Sequence, residues 1–177
     1  MPRLLFALVA LLLLAGCVHR YSVPEPNGEG HWLGQGSQVY LAVPRDGQDS
    51  RPRTYRGTGR TTANLITEVL AECGASVTVG PDVANPPQAM AAARAAHAHF
   101  VMYVDIEHWS DHWTELSGKV DRIRIRVLIT EVLSGIALDA RTIEASGRWR
   151  SWSSESTDLL LPKLIASWGH GLCVRGD

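Results

Sequence analysis

The side chains best suited to acid and base chemistry are carboxylates on and after one predicted strand: Asp105, Glu107, Asp111 and Glu115. Two carboxylates can act as general acid and general base in hydrolysis. However, Asp105 and Glu107 alternate with core residues, so we expect them to face a neighbouring row of arginines in an ion-pair ladder. The chain lacks a Gly-x-Ser-x-Gly motif, and no cysteine stands in a nucleophile context. We therefore predict that the protein is not an enzyme and has no catalytic residues.

Histidines occur in two close pairs, which are His97 with His99 and His108 with His112. Imidazoles two residues apart on a strand, or four apart on a helix, can converge on zinc. Both pairs lie where a predicted helix or strand ends, so neither has a regular backbone to hold it. We interpret them as side chains that bond to backbone groups or water, and we predict no metal and no cofactor.

A segment of glycine and threonine opens the first predicted helix, with the sequence Gly57-Thr58-Gly59-Arg60-Thr61-Thr62. Free backbone amides at a helix start can hold an anion, which makes Gly57, Thr58, Gly59, Thr61 and Thr62 candidate anion-binding residues. The lysine of a phosphate-binding loop and the third glycine of a dinucleotide motif are both missing. The alternative, which the composition favours, is an ordinary turn with a threonine N-cap.

Tryptophans cluster where two predicted strands end. Trp109 and Trp113 follow the third strand, and Trp149 and Trp152 follow the fifth. Because the fourth strand runs back between them, both exits should lie at the same end of the sheet. We define the tryptophan rim as a candidate partner-binding surface that consists of Trp109, Trp113, Trp149, Trp152, Arg148 and Arg150. The alternative is that these rings close the open end of the core.

The apolar pattern predicts the elements that must position these side chains. Strands are expected near 38–43, 75–79, 100–108, 121–132 and 136–149. Helices are expected after Thr61-Thr62 with Gly74 as the stop, over 87–96 and within 158–172. The order strand, helix, strand, helix, strand, strand, strand, helix indicates a single α/β domain with a mixed five-stranded sheet. A three-residue turn with Gly135 in the left-handed region should pair Arg124 with Glu144 and Ile125 with Ile143.

A charged start, an apolar run and a small-residue segment precede the first cysteine. The apolar run leads into Leu14-Ala15-Gly16-Cys17, which resembles the lipobox of bacterial lipoprotein signal peptides. The run is shorter than the ~20 apolar residues of a spanning helix. We expect removal of residues 1–16 and acylation of Cys17, which would anchor the protein to a membrane. Residues 17–36 should form a flexible tether and 37–177 one domain. The alternative is an ordinary secretory signal with an unrelated cysteine.

Charge and cysteine usage narrow the range of partners. The chain has 17 basic and 18 acidic side chains, so it lacks the positive field that nucleic-acid binding requires. Cys73 and Cys173 are the other cysteines, and an exported protein can join them in a disulfide. Alternatively, each is simply a small buried residue. They lack the close paired spacing of a structural zinc site.

Several segments together carry a resemblance to a known family: 57–62, 96–108, 115–121 and 132–135. With them, the domain resembles the proteobacterial lipoproteins grouped as the domain of unknown function forty-eight twenty-three. More distantly, the order of elements is similar to the amino-terminal domain of the Tol-Pal translocation protein and to curli-secretion and penicillin-binding-protein activator lipoproteins.

The resemblance implies an envelope adaptor or scaffold that binds an envelope protein or peptidoglycan. A binding module for a small ligand or glycan is the alternative. Val18 stands where an aspartate would retain a lipoprotein at the inner membrane. Its presence predicts an outer-membrane lipoprotein that faces the periplasm.

Overall fold

A computed structural model describes residues 21–22, 33–51, 53–111, 120–147, 149–150, 153–154 and 156–173. The elements are β1 (Tyr21–Ser22), β2 (Gln38–Val43), α1 (Thr58–Glu72), β3 (Ser76–Asp82), α2 (Pro86–Ala95), β4 (Phe100–Ser110), β5 (Arg122–Glu131), β6 (Ala137–Ser146), β7 (Trp149–Arg150), β8 (Ser153–Ser154) and α3 (Thr157–Gly169). The predicted α/β class and the predicted order of elements are confirmed. The five predicted strands are β2 to β6, and β1 joins the same sheet as an additional edge strand.

The main sheet is mixed, in the order β1-β6-β5-β4-β2-β3. Strand β2 lies parallel to both β3 and β4, whereas β4, β5, β6 and β1 pair antiparallel. The predicted hairpin register is confirmed, because Arg124 pairs with Glu144 and Ile125 with Ile143. Gly135 adopts a φ of +72°, as the turn requires.

Helices cover the sheet unequally. On one face, α1 and α3 pack on β2, β4, β5 and β6 and enclose the larger core, which contains Ile66, Ile125 and Trp168. On the other face, α2 packs through Ala89 and Ala93 on the β2 and β4 region. Strand β2 is therefore buried on both faces, as expected for a parallel strand between helices.

Glycines set the local geometry where backbones approach closely. A Cβ on Gly59 would overlap the carbonyl oxygen of Pro44, so the start of α1 packs directly on the end of β2. A Cβ on Gly169 would overlap the side chain of Val69, so α1 and α3 also meet at a glycine. The first contact holds the start of α1 against the end of β2, and the second holds α1 against α3.

The predicted end of the second strand was wrong. Strand β3 continues through Gly80 and Pro81, which the sequence assigned to a loop. Proline is tolerated there because β3 is an edge strand and does not need every backbone donor. The last helix agrees with the predicted range 158–172 to within one residue at its start, because it spans Thr157–Gly169 with Pro162 inside it. No helix in the described ranges is long and apolar enough to cross a membrane.

Residues predicted as tether also take part in the fold. Strand β1 pairs through Tyr21 with Ala145 and through Ser22 with Glu144. Leu33 is fully buried, and its backbone N–H donates to the carbonyl of Leu172 at 3.4 Å. Strand β1 therefore contacts the sheet edge, and Leu33 contacts the chain just after α3.

Candidate functional site

The helix start predicted to hold an anion is already in contact with a carboxylate of the same chain. Asp46 Oδ1 accepts the backbone N–H of Gly59 at 3.0 Å. The N-cap residue is Gly57, with a φ of +88° and no side-chain capping bond, so the predicted threonine N-cap is wrong. Thr58 Oγ1 instead donates to the carbonyl of Tyr55 at 2.8 Å. The anion that the structure places at this helix start is Asp46.

A β-bulge decides the orientation of Trp109. The register of β4 against β5 shifts between Ile106 and His108, which leaves Glu107 without a partner in the ladder. Because one residue is inserted, Trp109 faces the core beside Ile123 and is only 4% exposed. For this ring the structure supports the alternative interpretation, in which the indole closes the end of the core.

The other members of the tryptophan rim stay predictions. Ser110, Arg122 and Ser146 lie in one row across β4, β5 and β6, so the predicted meeting of both strand exits at one end of the sheet is correct. Trp149 and Arg150 form β7, which pairs with β8. The structure does not describe the side chains of Trp113, Trp149, Trp152, Arg148 and Arg150.

Arginines of β5 lie opposite acidic residues on both neighbouring strands. Arg124 Nε contacts Glu144 Oε1 at 2.5 Å, and the two side chains are 43% and 38% exposed. Asp105 lies opposite Arg126 across the β4 and β5 pair. Glu107 does not join this ladder, because the bulge places it outside the register. Glu115 lies outside the described residues.

His97 and His99 are exposed, and His108 is half-buried. His97 has a φ of +54° and ends α2 in the left-handed conformation. His99 Nδ1 accepts the backbone N–H of Gln38 at 3.4 Å, and His108 lies opposite Arg124 on β4. His112 lies outside the described residues. Within the part of the chain that is described, no three histidine, cysteine or acidic residues come together as metal ligands.

A polar cleft of about 510 Å³ lies at the same end of the sheet as the strand exits. The loop 45–57 forms one wall, and the ends of β4 and β5 form the other. We call it the arginine cleft and define it by Asp49, Arg51, Arg53, Tyr55, His108 and Arg122. Four arginines occur in the loop without forming a recognisable sequence motif: Arg45, Arg51, Arg53 and Arg56.

Hydrogen bonds hold the loop wall of the arginine cleft in place. Asp49 Oδ1 accepts the backbone N–H of Arg51 at 2.8 Å, and the Tyr55 hydroxyl donates to the carbonyl of Asp111 at 3.4 Å. The backbone N–H of Trp109 donates to the carbonyl of Gln48 at 2.9 Å and so ties the loop to β4. The loop wall is therefore anchored at the end of β4 through two residues, Gln48 and Tyr55.

The electrostatics of the arginine cleft favour an anionic ligand. The guanidinium of Arg53 lies 5.2 Å from the centre of the Tyr55 ring, in cation–π geometry. The ion pairs among the described residues join Arg124 to Glu144 and Arg141 to Asp139. They do not include Arg51, Arg53 or Arg122. The nearby carboxylate of Asp49 accepts backbone N–H groups instead. Guanidinium groups that lie outside these ion pairs can bind phosphate or carboxylate through paired hydrogen bonds.

The structure joins Cys73 and Cys173 in a disulfide. Their Cα atoms are 5.2 Å apart and their sequence separation is 100. Cys73 is the C-cap of α1. Cys173 follows α3, and its backbone forms an isolated parallel β-bridge with Leu33. The bond links the end of α1 to the segment after α3.

The opposite end of the sheet presents apolar side chains to solvent. The β5–β6 turn exposes Leu133 at 95% and Ile136 at 61%. Beside it lies a depression of about 660 Å³ whose wall includes Phe100 and Val132. We call this surface the hairpin tip and define it by Leu133 and Ile136.

Comparison with solved structures found the same fold elsewhere. The PelC dodecamer from Paraburkholderia phytofirmans is 19% identical in sequence, with a TM-score of 0.62, and the match covers 90% of this chain and 99% of that one. A second crystal form of PelC matches equally well. Lipoprotein GNA1162 from Neisseria meningitidis matches with a TM-score of 0.45 and 16% identity over 74% of this chain and 94% of that one.

Comparison of sequences identifies the family. No curated protein matched the chain. The model of the domain of unknown function DUF4823 matches residues 31–172, which include β2 to β6 and all three helices. This confirms the family predicted from the sequence. The chain is therefore a member of the DUF4823 family.

Proposed function

We propose that this protein is an outer-membrane lipoprotein, anchored by acyl chains on Cys17, that acts as a non-enzymatic adaptor in the periplasm. The observation that carries the proposal is the segment Leu14-Ala15-Gly16-Cys17 directly after an apolar run. Such a segment combines the features of an export signal with a cysteine that can be lipidated.

The roles of the carboxylates support an adaptor rather than an enzyme. Asp46 accepts a backbone N–H at the start of α1, Asp49 holds the loop wall of the arginine cleft, and Glu144 pairs with Arg124. Each of these groups stabilises local structure. These three carboxylates serve structural contacts, which supports the adaptor proposal.

Mass spectrometry of the mature protein and membrane fractionation test the anchor. We expect an acylated Cys17 as the first residue, and a Cys17→Ser variant that leaves the membrane fraction. Inner and outer membranes separated by density should place the native protein in the outer membrane. A native protein with an unmodified residue 17 would contradict the proposal.

The hairpin tip supports a protein as partner. Leu133 and Ile136 are large apolar side chains at a turn, where they contribute little to the core and can anchor a protein interface. PelC, which shares the fold, is a dodecamer. We propose that the hairpin tip contacts an envelope protein, and a second copy of this chain is one such partner. The tryptophan rim is a second candidate surface, through Trp113, Trp149 and Trp152.

Crosslinking in intact cells tests the hairpin tip. We expect Leu133→Ser with Ile136→Ser to remove crosslinked species that mass spectrometry identifies in the native protein. Val79→Ser with Leu159→Ser is a matched control, because these residues are also exposed apolar side chains, at 40% and 56%. Loss of the crosslinks in both double variants, or in neither, would contradict a contact through the hairpin tip.

The alternative function, binding of a small ligand or glycan, is favoured by the arginine cleft. A ligand that binds only the folded state raises the melting temperature. We expect sugars that carry carboxylate or phosphate to give such a shift if this alternative is correct, and neutral sugars to give none. Equal shifts with neutral and anionic sugars would contradict a role for the guanidinium groups.

A further inference from the structure

The position of β1 limits how far the domain lies from its membrane anchor. Tyr21 pairs with Ala145, and it follows Cys17 by only four positions along the chain. At no more than 3.6 Å per residue, this stretch spans at most ~14 Å. A free tether from Cys17 to Gly36 would reach ~70 Å by the same estimate. With β1 paired to β6, the domain is held close to the bilayer.

The pairing of β1 also shows which end of the sheet lies near the anchor. Strand β6 runs away from the hairpin tip and ends at Ser146, and β1 begins beside that end. Tyr21, Ala145, Ile123 and Trp109 lie in one row across the sheet. The chain that leads back to Cys17 therefore leaves the sheet at the end where the strands β4 and β6 exit.

The arginine cleft lies at this same end. Arg122 is one residue beyond Ile123 in that direction, and at ~4.8 Å between strands it lies roughly 10 Å from β1. The loop 45–57 follows β2, which is parallel to β4, so it also begins at this end. The hairpin tip, with Leu133 and Ile136, is at the opposite end.

We infer that the arginine cleft faces the membrane and binds the phosphate of anionic phospholipid headgroups. The inference rests on the proposed lipid anchor at Cys17. Arg51, Arg53 and Arg122 present guanidinium groups outside the ion pairs of the described residues, and such groups match phosphate geometry. An arginine near an anionic membrane surface strengthens binding about fivefold. The headgroup contact orients the domain so that the hairpin tip points into the periplasm.

Hydrogen–deuterium exchange on the full lipidated protein tests this orientation. The protein, with lipidation verified by mass spectrometry, is placed in nanodiscs of phosphatidylglycerol or of phosphatidylcholine. We expect slower amide exchange in peptides 45–57 and 120–124 with phosphatidylglycerol than with phosphatidylcholine. Exchange in peptides 132–137, at the hairpin tip, should be the same in both.

Matched variants separate the arginine cleft from general charge. Arg51→Gln with Arg122→Gln should weaken headgroup binding about 25-fold, at about fivefold for each arginine, and abolish the difference between the two lipids. Arg94→Gln with Arg126→Gln removes the same charge outside the cleft. This double variant should keep the difference between the two lipids. Loss of the difference in both double variants would overturn the assignment to the cleft.

The remaining outcomes also decide the question. Equal exchange of the native protein in both lipids, or protection at the hairpin tip instead, would overturn the orientation while the lipid anchor stands. Inorganic phosphate added to the protein in phosphatidylcholine nanodiscs gives a further arm. The same protection there would show that the cleft binds a free anion and would overturn the lipid headgroup as its ligand. A protein without acyl chains on Cys17 would overturn the proposed function and this inference together.

Discussion

Replacing Cys73 and Cys173 by alanine removes the covalent link between the end of α1 and the segment after α3. The helices still pack on each other where Gly169 meets Val69, so the folded structure should persist. The main effect is expected in the unfolded chain, which regains the freedom that the crosslink removes.

The sequence separation of the two cysteines sets the size of the effect. For a separation of 100, the chain-entropy estimate is about 4.7 kcal/mol. A domain of this size loses about 2 to 4 °C of melting temperature for each kcal/mol. We therefore expect the double alanine variant to melt about 10 to 20 °C below the native protein.

Thermal unfolding followed by circular dichroism, with and without reductant, measures this difference. The reduced native protein should melt close to the double variant, which separates the loss of the crosslink from the loss of sulfur packing. Thiol counting on the unfolded, unreduced protein should find Cys73 and Cys173 unreactive. A melting temperature that neither reductant nor the double substitution changes would refute the reasoning.

Three further predictions concern single groups. Asp46→Ala should lower the free energy of unfolding by about 1 kcal/mol in urea denaturation, because the Gly59 N–H loses its acceptor; an unchanged value would contradict that role. Gly169→Ala should cost about 1 to 3 kcal/mol, and Val69→Ala in the same chain should recover part of it in a double-mutant cycle. Burial, and then the charge of Asp105, raise the pKa of Tyr103 above its ordinary 10.0. Tyr103 ionises at a lower pH in the unfolded chain than in the folded protein. Its contribution to stability is therefore complete below pH 10 and is lost as pH rises through the folded pKa. Absorbance titration should show this tyrosine ionising late, and Tyr103→Phe should flatten the loss of stability.

The sequence predicted the elements whose signals are local. Alternation along β5 and β6, with Gly135 in the turn, was enough to predict the register of Arg124 and Glu144. The apolar spacing of α1 and α2 predicted both helices within a few residues. Turn length and side-chain period depend on neighbouring residues, so they can be read without knowledge of the fold.

Features that depend on one inserted residue or on a distant partner were missed. The bulge at Glu107 does not change the composition of β4, yet it turns Trp109 from the predicted rim into the core. The acceptor at the start of α1 is Asp46, thirteen residues from Gly59, where the local motif suggested a threonine. Neither result follows from a local pattern, because each depends on how the chain returns to the sheet.

By itself the sequence determined the α/β class, the order of the elements, the family, and the expectation of a lipid anchor at Cys17. Only the tertiary structure brought Arg51 and Arg53 beside Arg122 and placed β1 at the edge of β6. The physical reason is that periods of 2 and 3.6 residues reveal which face of an element is apolar. Which end of the sheet gathers the arginines, and which end leads to the anchor, is decided by pairing between residues far apart in the chain.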